Sequence, residues 1–386
     1  MNEFDVAIVG AGPAGSSAAI ALARKGYSVA LLDKEQFPRE KLCGDFLNPV
    51  NWPVLRQLDV EGEVLSRPHE KVTAFRLTSL SGDEAEVRLP RRNGATVFGL
   101  GLRRFDLDHV LITQAEHNGA TVLQECRVKE LRRESDRWLL LCERAGMIEK
   151  FRTRILVGAD GRNSWVAHRL GMTSGTGRQG RSVGFQVHLK CSVGVAGKVE
   201  IHLFPGGYAG LVRLNRDTVT LGLAVDKSRL PDHRAAEFLL NHCLPQNPWL
   251  REIARAERLS DVRSAYPLYF PPRRVCGEGV LLAGDAARVS EPVTGEGVYF
   301  AMRSGLLAAD TIHQAFQETD FSAARLGAYA RECRRVFRLR SGTNSLMRWL
   351  IYRPALLSPF IRFSAKKRGR LLDSVVQTVC QPETAN

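Results

Sequence analysis

The run Gly10-Ala11-Gly12-Pro13-Ala14-Gly15 constrains this chain more than any other stretch, because it joins the apolar segment Phe4 to Val9 to an alanine-rich segment, Ser16 to Lys25. The first segment reads as a short buried strand and the second as a helix, so the glycines occupy a strand-to-helix turn. Each glycine has a separate physical role. The first permits the tight turn, the second lets a pyrophosphate approach the backbone, and the third brings helix and strand together. Free NH groups at the helix start favour negative charge. Gly26 ends the helix, Tyr27 to Leu32 reads as a second strand, and Asp33 closes it 18 residues after Gly15. A carboxylate there can accept hydrogen bonds from a ribose. The pattern predicts a Rossmann-type α/β unit and leaves NAD and FAD both open.

Two later motifs narrow the choice. Ile155 to Ser164 reads as a strand entering an Asp160-Gly161 turn and then a helix, although a plain hairpin would also use Asp-Gly. Val280 to Ala287 is another buried strand, ending in Gly284-Asp285, and is followed by Pro292 to Val298 and a helix from about Tyr299 to Thr311. An acid at the end of a buried strand sits where a chain of hydroxyls can lie, and the glycine loop offers backbone NH groups to an electron-rich ring. Arg104 to Leu111 taken alone reads as an exposed helix with ordinary charge pairing.

In this order the motifs resemble the FAD-dependent group that contains the aromatic hydroxylases (p-hydroxybenzoate hydroxylase-like), the flavin halogenases and the geranylgeranyl reductases. The resemblance covers roughly residues 1–320. It implies a glutathione reductase-like, discontinuous FAD domain with an inserted substrate sheet. By that likeness Gly10, Gly12, Ala14 and Gly15 hold the pyrophosphate, Asp33 the adenosine ribose, and Asp285 the ribityl chain. Gly295, Gly297 and Val298 face the isoalloxazine, Arg104 approaches the flavin, Val128 meets adenine through its backbone, and Lys34 and Arg39 belong to the same cofactor-binding set.

Arg39-Glu40-Lys41-Leu42-Cys43-Gly44-Asp45 is similar to the RxKxCGG segment of the geranylgeranyl reductases, which implies that Cys43 and Gly44 lie beside the flavin. Asp45 departs from that pattern, and a carboxylate near the ring would alter the local polarity. Phe204 to Val212 is similar to the reductases' PGGYxW strand, with Gly210 in place of the tryptophan, which opens volume for a bulkier or ring-bearing substrate. The halogenase signature WxWxIP is missing from this part of the sequence. The leading expectation is therefore reduction of carbon-carbon double bonds in a hydrophobic, isoprenoid-like molecule. Tyr208, His202 and Asp45 are candidate proton donors, and none is assigned as catalytic. The alternatives are a monooxygenase acting on an aromatic or quinone-like ring, and a membrane-associated interaction protein with a vestigial flavin site. No second GxGxxG for NAD(P)H is present, and the resemblance implies NAD(P)H, admitted without its own domain, or a ferredoxin-like protein as electron donor.

The 386 residues divide, on this reading, into an FAD domain built from 1–70, 98–180 and 272–320, a β-sheet substrate domain from 71–97 and 181–271, and a basic helical region, 321–386. Net charge is +14, and the last region holds thirteen basic against three acidic residues, interleaved with Trp349, Leu350, Ile351, Leu356, Phe360 and Phe363. Pro354 and Pro359 interrupt that stretch, so it does not suit a membrane span. It suits an anionic membrane surface or, equally, a helical bundle packed on the FAD domain with solvated arginines. Nucleic acid is not expected as a partner, because no recognition motif accompanies the charge. Eight scattered cysteines without metal-ligand spacing suggest a reduced, cytoplasmic protein with no metal site. Glu3 and Asp5 replace the basic start of a secretory leader, so peripheral attachment at the inner membrane face is the remaining membrane expectation.

Overall fold

The computed structural model describes all residues except 93–94, 174–179, 192–194, 271–272, 289–291, 367–375, 378 and 381–386. Lys367, Arg368, Arg370, Asp373 and Glu383, counted in the tail's charge, lie outside the described residues. Along the chain, β1 (Asn2–Val9), α1 (Pro13–Arg24) and β2 (Val29–Leu32) come first, then β3 (Ala74–Thr78), β4 (Glu84–Arg88) and α2 (Arg104–His117). Four strands follow, β5 (Thr121–Leu123), β6 (Arg127–Glu134), β7 (Arg137–Arg144) and β8 (Met147–Gly158). The next four are β9 (Ser182–Lys190), β10 (Lys198–Phe204), β11 (Gly207–Arg213) and β12 (Thr218–Asp226). After β13 (Val280–Leu282), three helices complete the fold: α3 (Gly297–Glu318), α4 (Ala323–Ile351) and α5 (Pro354–Lys366).

Two sheets carry the architecture. The first runs β5-β2-β1-β8-β7-β6, with β13 parallel to the C-terminal half of β8. Where the parallel strands meet, Val6 to Val9 of β1, Val29 to Leu32 of β2 and Ile155 to Gly158 of β8 are apolar and buried, because helices cover one face and a second apolar cluster the other, as parallel sheets require. The second sheet runs β9-β12-β11-β10-β3-β4, extended at β9 by Glu257–Arg258 and Arg263–Ala265. One face packs Phe185, Leu211, Leu221 and Leu223 against the helical turns around Leu239 to Ile253. The opposite face turns toward the first sheet.

Helix α1 starts at Pro13, inside the glycine motif rather than after it, because proline's fixed φ and missing NH suit the first helical position. Helix α3 is longer than the sequence suggested and packs on α1, where a Cβ on Gly305 would lie 2.2 Å from the Ala14 carbonyl oxygen. The C-terminal region is helical, as expected, through α4 and α5, which end at Lys366. Tyr329 of α4 donates its hydroxyl to the Leu282 carbonyl at 2.9 Å, which pins that helix to β13.

Candidate active site

The two sheets enclose a cavity of about 980 Å³ whose one half is polar and glycine-rich and whose other half is apolar. At the polar end the motif's glycines divide into two kinds. Gly10 has φ +104° and its Cβ would sit 2.4 Å from the Ala159 oxygen, while a Cβ on Gly15 would lie 1.8 Å from the Gly10 oxygen. Both are demanded by backbone contact. Gly12 is different: a Cβ there meets nothing closer than an Arg39 nitrogen at 3.7 Å, so its open side faces the cavity. No acidic residue occupies the first turn of α1. Asp33 accepts hydrogen bonds from the NH of Ala11 at 2.7 Å and of Glu35 at 3.0 Å, which fixes the carboxylate at the cavity edge with further lone pairs to spare.

Cations gather next to Gly12. Arg104 grips Asp108 with two bonds of 2.7 Å, an (i, i+4) pair on α2, and Arg39 shares the same buried carboxylate at 3.0 Å. Two guanidiniums on one carboxylate leave positive charge uncompensated. Lys41 and Arg162 add to it, opposed by Asp285, which lies 3.8 Å from Arg162. Burial, reinforced by Arg104 and Arg39, pulls the Lys41 amine below its usual range. Asp160 lines the cavity as well, one oxygen accepting from the NH of Val166 and the other without a partner, and burial raises its carboxyl. Open backbone at Gly12, excess cations beside it and acids further along match a diphosphate flanked by sugar hydroxyls, so the residues present fit FAD.

Cys43 and Gly44 line the same cavity as Gly295, Gly297 and Val298. Gly295, at φ +64°, presses on the Phe46 ring, with a Cβ position 2.6 Å from it. The loop is clamped from both sides: Asn48 donates to the Thr294 carbonyl at 3.0 Å and Asn344 of α4 to the Thr294 hydroxyl at 2.7 Å. Glu296, at the start of α3, is buried and meets Arg340 of α4 at 2.7 Å; burial raises its carboxyl, and Arg340 works against that shift. Burial also raises the Cys43 thiol, opposed by Arg104, so it is a neutral thiol at physiological pH.

Fourteen of the fifteen residues expected at the cofactor line this one cavity: Gly10, Gly12, Ala14, Asp33, Lys34, Arg39, Cys43, Gly44, Arg104, Val128, Asp285, Gly295, Gly297 and Val298. Gly15 does not line it, because its place is the strand-helix contact. Asp45 requires a correction. Its backbone is left-handed, φ +52°, and its carboxylate turns away from the cavity into a buried cage formed by Gln186, His188, Thr220 and the NH of Arg104. A charge so bonded is neither a polar group at the ring nor a free acid. His202 is corrected too: it lies on the other face of the sheet, held between Thr78 at 2.8 Å and Glu200 at 3.0 Å. Of the three candidate donors only Tyr208 lines the cavity. Sequence reasoning missed Lys41, although it lies within the Arg39 to Asp45 motif, and Arg263, for which no local signal exists.

The apolar half is walled by alternate residues of the second sheet. Phe75, Val199, Ile201, Tyr208, Val212 and Ala224 face inward with Phe46 and Leu268. Gly210 stands directly across from Gly222, and a Cβ on Gly210 meets nothing closer than the Gly222 oxygen at 4.0 Å. A glycine-turn cradle joined to an apolar chamber at the junction of two sheets defines a flavin-dependent oxidoreductase whose substrate is hydrophobic.

The chain belongs to the FAD binding domain family, which matches residues 3–219. It is 29% identical over 350 residues to digeranylgeranylglycerophospholipid reductase 1 of Methanothermobacter thermautotrophicus, covering 86% of this chain and 83% of the relative. It is 30% identical over 327 residues to menaquinone reductase of Mycobacterium tuberculosis, covering 81% and 77%. Among solved structures, a geranylgeranyl bacteriochlorophyll reductase-like protein of Thermoplasma acidophilum shares the fold at a TM-score of 0.79 and 20% identity, over 99% of this chain and 94% of the other.

Proposed function

We propose that this flavoenzyme reduces carbon-carbon double bonds of an isoprenoid-like lipid. The observation that carries the reading is the apolar wall of the chamber, Phe46, Phe75, Val199, Ile201, Val212, Ala224 and Leu268, which shares one cavity with Cys43, Gly44, Gly295, Gly297 and Val298. The names of the reductase relatives support it. Reduced FAD, when bound, supplies the hydride, so that each turnover adds two electrons and, with one proton, two hydrogens to the alkene.

The chain's own residues bind, orient and exclude water. Arg39, Lys41, Arg104 and Arg162 would hold the diphosphate of FAD, Asp33 and Asp285 its sugar hydroxyls, and the 295–298 loop its ring. Phe46, Phe75, Val199, Ile201 and Val212 desolvate the chain of the substrate. The proton comes from solvent or from the Tyr208 hydroxyl, which lines the chamber. NAD(P)H or a ferredoxin-like protein is the electron donor, and the work is done at the cytoplasmic membrane face. Attachment there is peripheral, through the basic helical end; no helix among the described residues is long and apolar enough to cross a membrane.

The test is anaerobic reduction of the FAD-loaded protein by NADH, NADPH or a reduced ferredoxin, followed by addition of a polyprenyl lipid. Flavin reoxidation with a product heavier by two hydrogens per bond supports the reading. Labelled oxygen in the product would replace it with the monooxygenase, for which the open space at Gly210 is the favouring observation.

A further inference from the structure

We infer that the outward face of α4 and α5 seats the protein on an anionic lipid bilayer and turns the apolar wall of the chamber toward it. The inference deepens the proposed function, resting on a substrate that lives in lipid. Helix α4 changes character along its exposed side. Arg331, Arg334, Arg335 and Arg338 are exposed in its middle, whereas Leu339, Leu346 and Trp349, 76%, 54% and 48% exposed, follow on the same face. Positions 335, 338, 342, 346 and 349 recur at three- and four-residue spacing, so they form one stripe. Helix α5 continues it with Leu356 and Phe363. Five of the twelve large apolar side chains exposed among the described residues thus fall within 339–363.

Charge selects the occupant. Between 323 and 366 the only acid is Glu332. A second copy docking by a two-fold axis would press this face against itself, arginine collar beside arginine collar, with one glutamate per chain to offset them. A bilayer with anionic headgroups meets both halves at once: arginines at headgroup level and leucines and tryptophan at the acyl boundary. Arg338 and Trp349 are eleven residues apart, about 16 Å along the helix, enough to bridge those two layers. Arg353 lies over the Trp349 ring at 4.5 Å, a cation held at the edge of the apolar tip.

The inner side of the same elbow meets the substrate. Ile351, Leu357 and Ile361 pack with Leu203, Tyr208, Ala224 and Leu268, and Tyr208, Ala224 and Leu268 line the chamber. One layer of side chains therefore separates chamber from elbow.

Flotation of the full-length, FAD-loaded protein tests this with phosphatidylcholine vesicles, alone or containing phosphatidylglycerol. Binding is expected only with the anionic lipid. Arg334→Gln and Arg338→Gln should each weaken it about five-fold, the equivalent of ~1 kcal/mol per basic residue, and Leu346→Glu with Trp349→Glu should abolish it. Met147→Glu with Ile148→Glu, at exposed apolar residues of the β7–β8 hairpin, should leave it unchanged. Brominated lipid should quench fluorescence in the native chain and not in Trp349→Phe. Absence of vesicle binding, binding that survives Leu346→Glu with Trp349→Glu, equal loss in the hairpin variant, or a dimer dissolved by the elbow changes without vesicle binding would each overturn the inference. Turnover of detergent-dispersed polyprenyl lipid is read separately: no turnover sinks the reductase reading alone, and turnover without vesicle binding sinks the docking alone.

Discussion

His188 Nε2 lies 3.0 Å from Asp45 Oδ2, in the interior between the two sheets. The same oxygen accepts from Gln186 at 2.9 Å and Thr220 at 2.9 Å, and Oδ1 accepts from the NH of Arg104 at 3.1 Å. Gln186 in turn accepts from the NH of Cys43 at 3.1 Å. One carboxylate thus ties the second sheet, α2 and the Cys43-Gly44 segment together.

Replacing it should loosen all three. Asp45→Ala strands several buried donors and is expected to cost ~2–4 kcal/mol in denaturant unfolding, since hydrogen bonds to charged groups are the expensive ones to lose. Asp45→Asn keeps the shape and tolerates the left-handed backbone, so it should lose less than half of that.

The two kinds of motif glycine should separate stability from cofactor binding. Gly12→Ala points into open space and is expected to leave the apoprotein's unfolding midpoint within ~0.5 kcal/mol of native, while FAD titration shows a loss of at least ten-fold in affinity. Gly15→Ala collides with the Gly10 carbonyl and should yield no folded protein by circular dichroism.

Alkali should weaken cofactor binding through Lys41. Burial already lowers its proton affinity, and a bound diphosphate would raise it again, so binding takes up a proton wherever the free amine is neutral. FAD affinity should therefore fall as pH rises through the depressed value of the apoprotein. Lys41→Met should bind more weakly at neutral pH and lose most of that alkaline slope in fluorescence titrations.

The buried pair of Glu296 and Arg340 gives a second pH signature. A carboxyl raised by burial holds its proton to higher pH in the folded than in the unfolded state, so stability falls as pH climbs from the ordinary glutamate range to the raised value. Arg340→Met removes the opposing charge. It should destabilise by ~3–5 kcal/mol above that window, by less at acidic pH, and Glu296→Gln in the same chain should restore part of the loss in urea melts.

Gly210 should set how bulky a substrate the chamber admits. Gly210→Trp has room to fold and is expected to keep reduction of an acyclic polyprenyl alcohol while raising KM at least ten-fold for a prenylated ring. Steady-state comparison of the two substrates checks it, with flavin content confirming an intact site.

Much of the cofactor half was legible because it is local. Phosphate binding needs glycine, a helix start and an acid at short fixed spacings, and Gly10 to Asp33 contains all three. Asp45 was misjudged for the opposite reason: its neighbours in sequence lead toward the flavin, but its partners, Gln186, His188 and Thr220, are 141, 143 and 175 residues away. His202 followed the same rule, since strand alternation shows that neighbours face opposite ways and not which way is inward.

The sequence by itself determined a flavoprotein of this group, with two sheets and a basic helical end, because turn geometry, hydrophobic period and charge are written residue by residue. Tertiary structure decided the sharing of the tail. Arg340 and Asn344 turn inward to the flavin loop, Ile351 and Leu357 back the chamber, and Leu339, Leu346 and Trp349 face out. Packing against the sheet fixed that rotation of the helix, and composition alone carries no information about it.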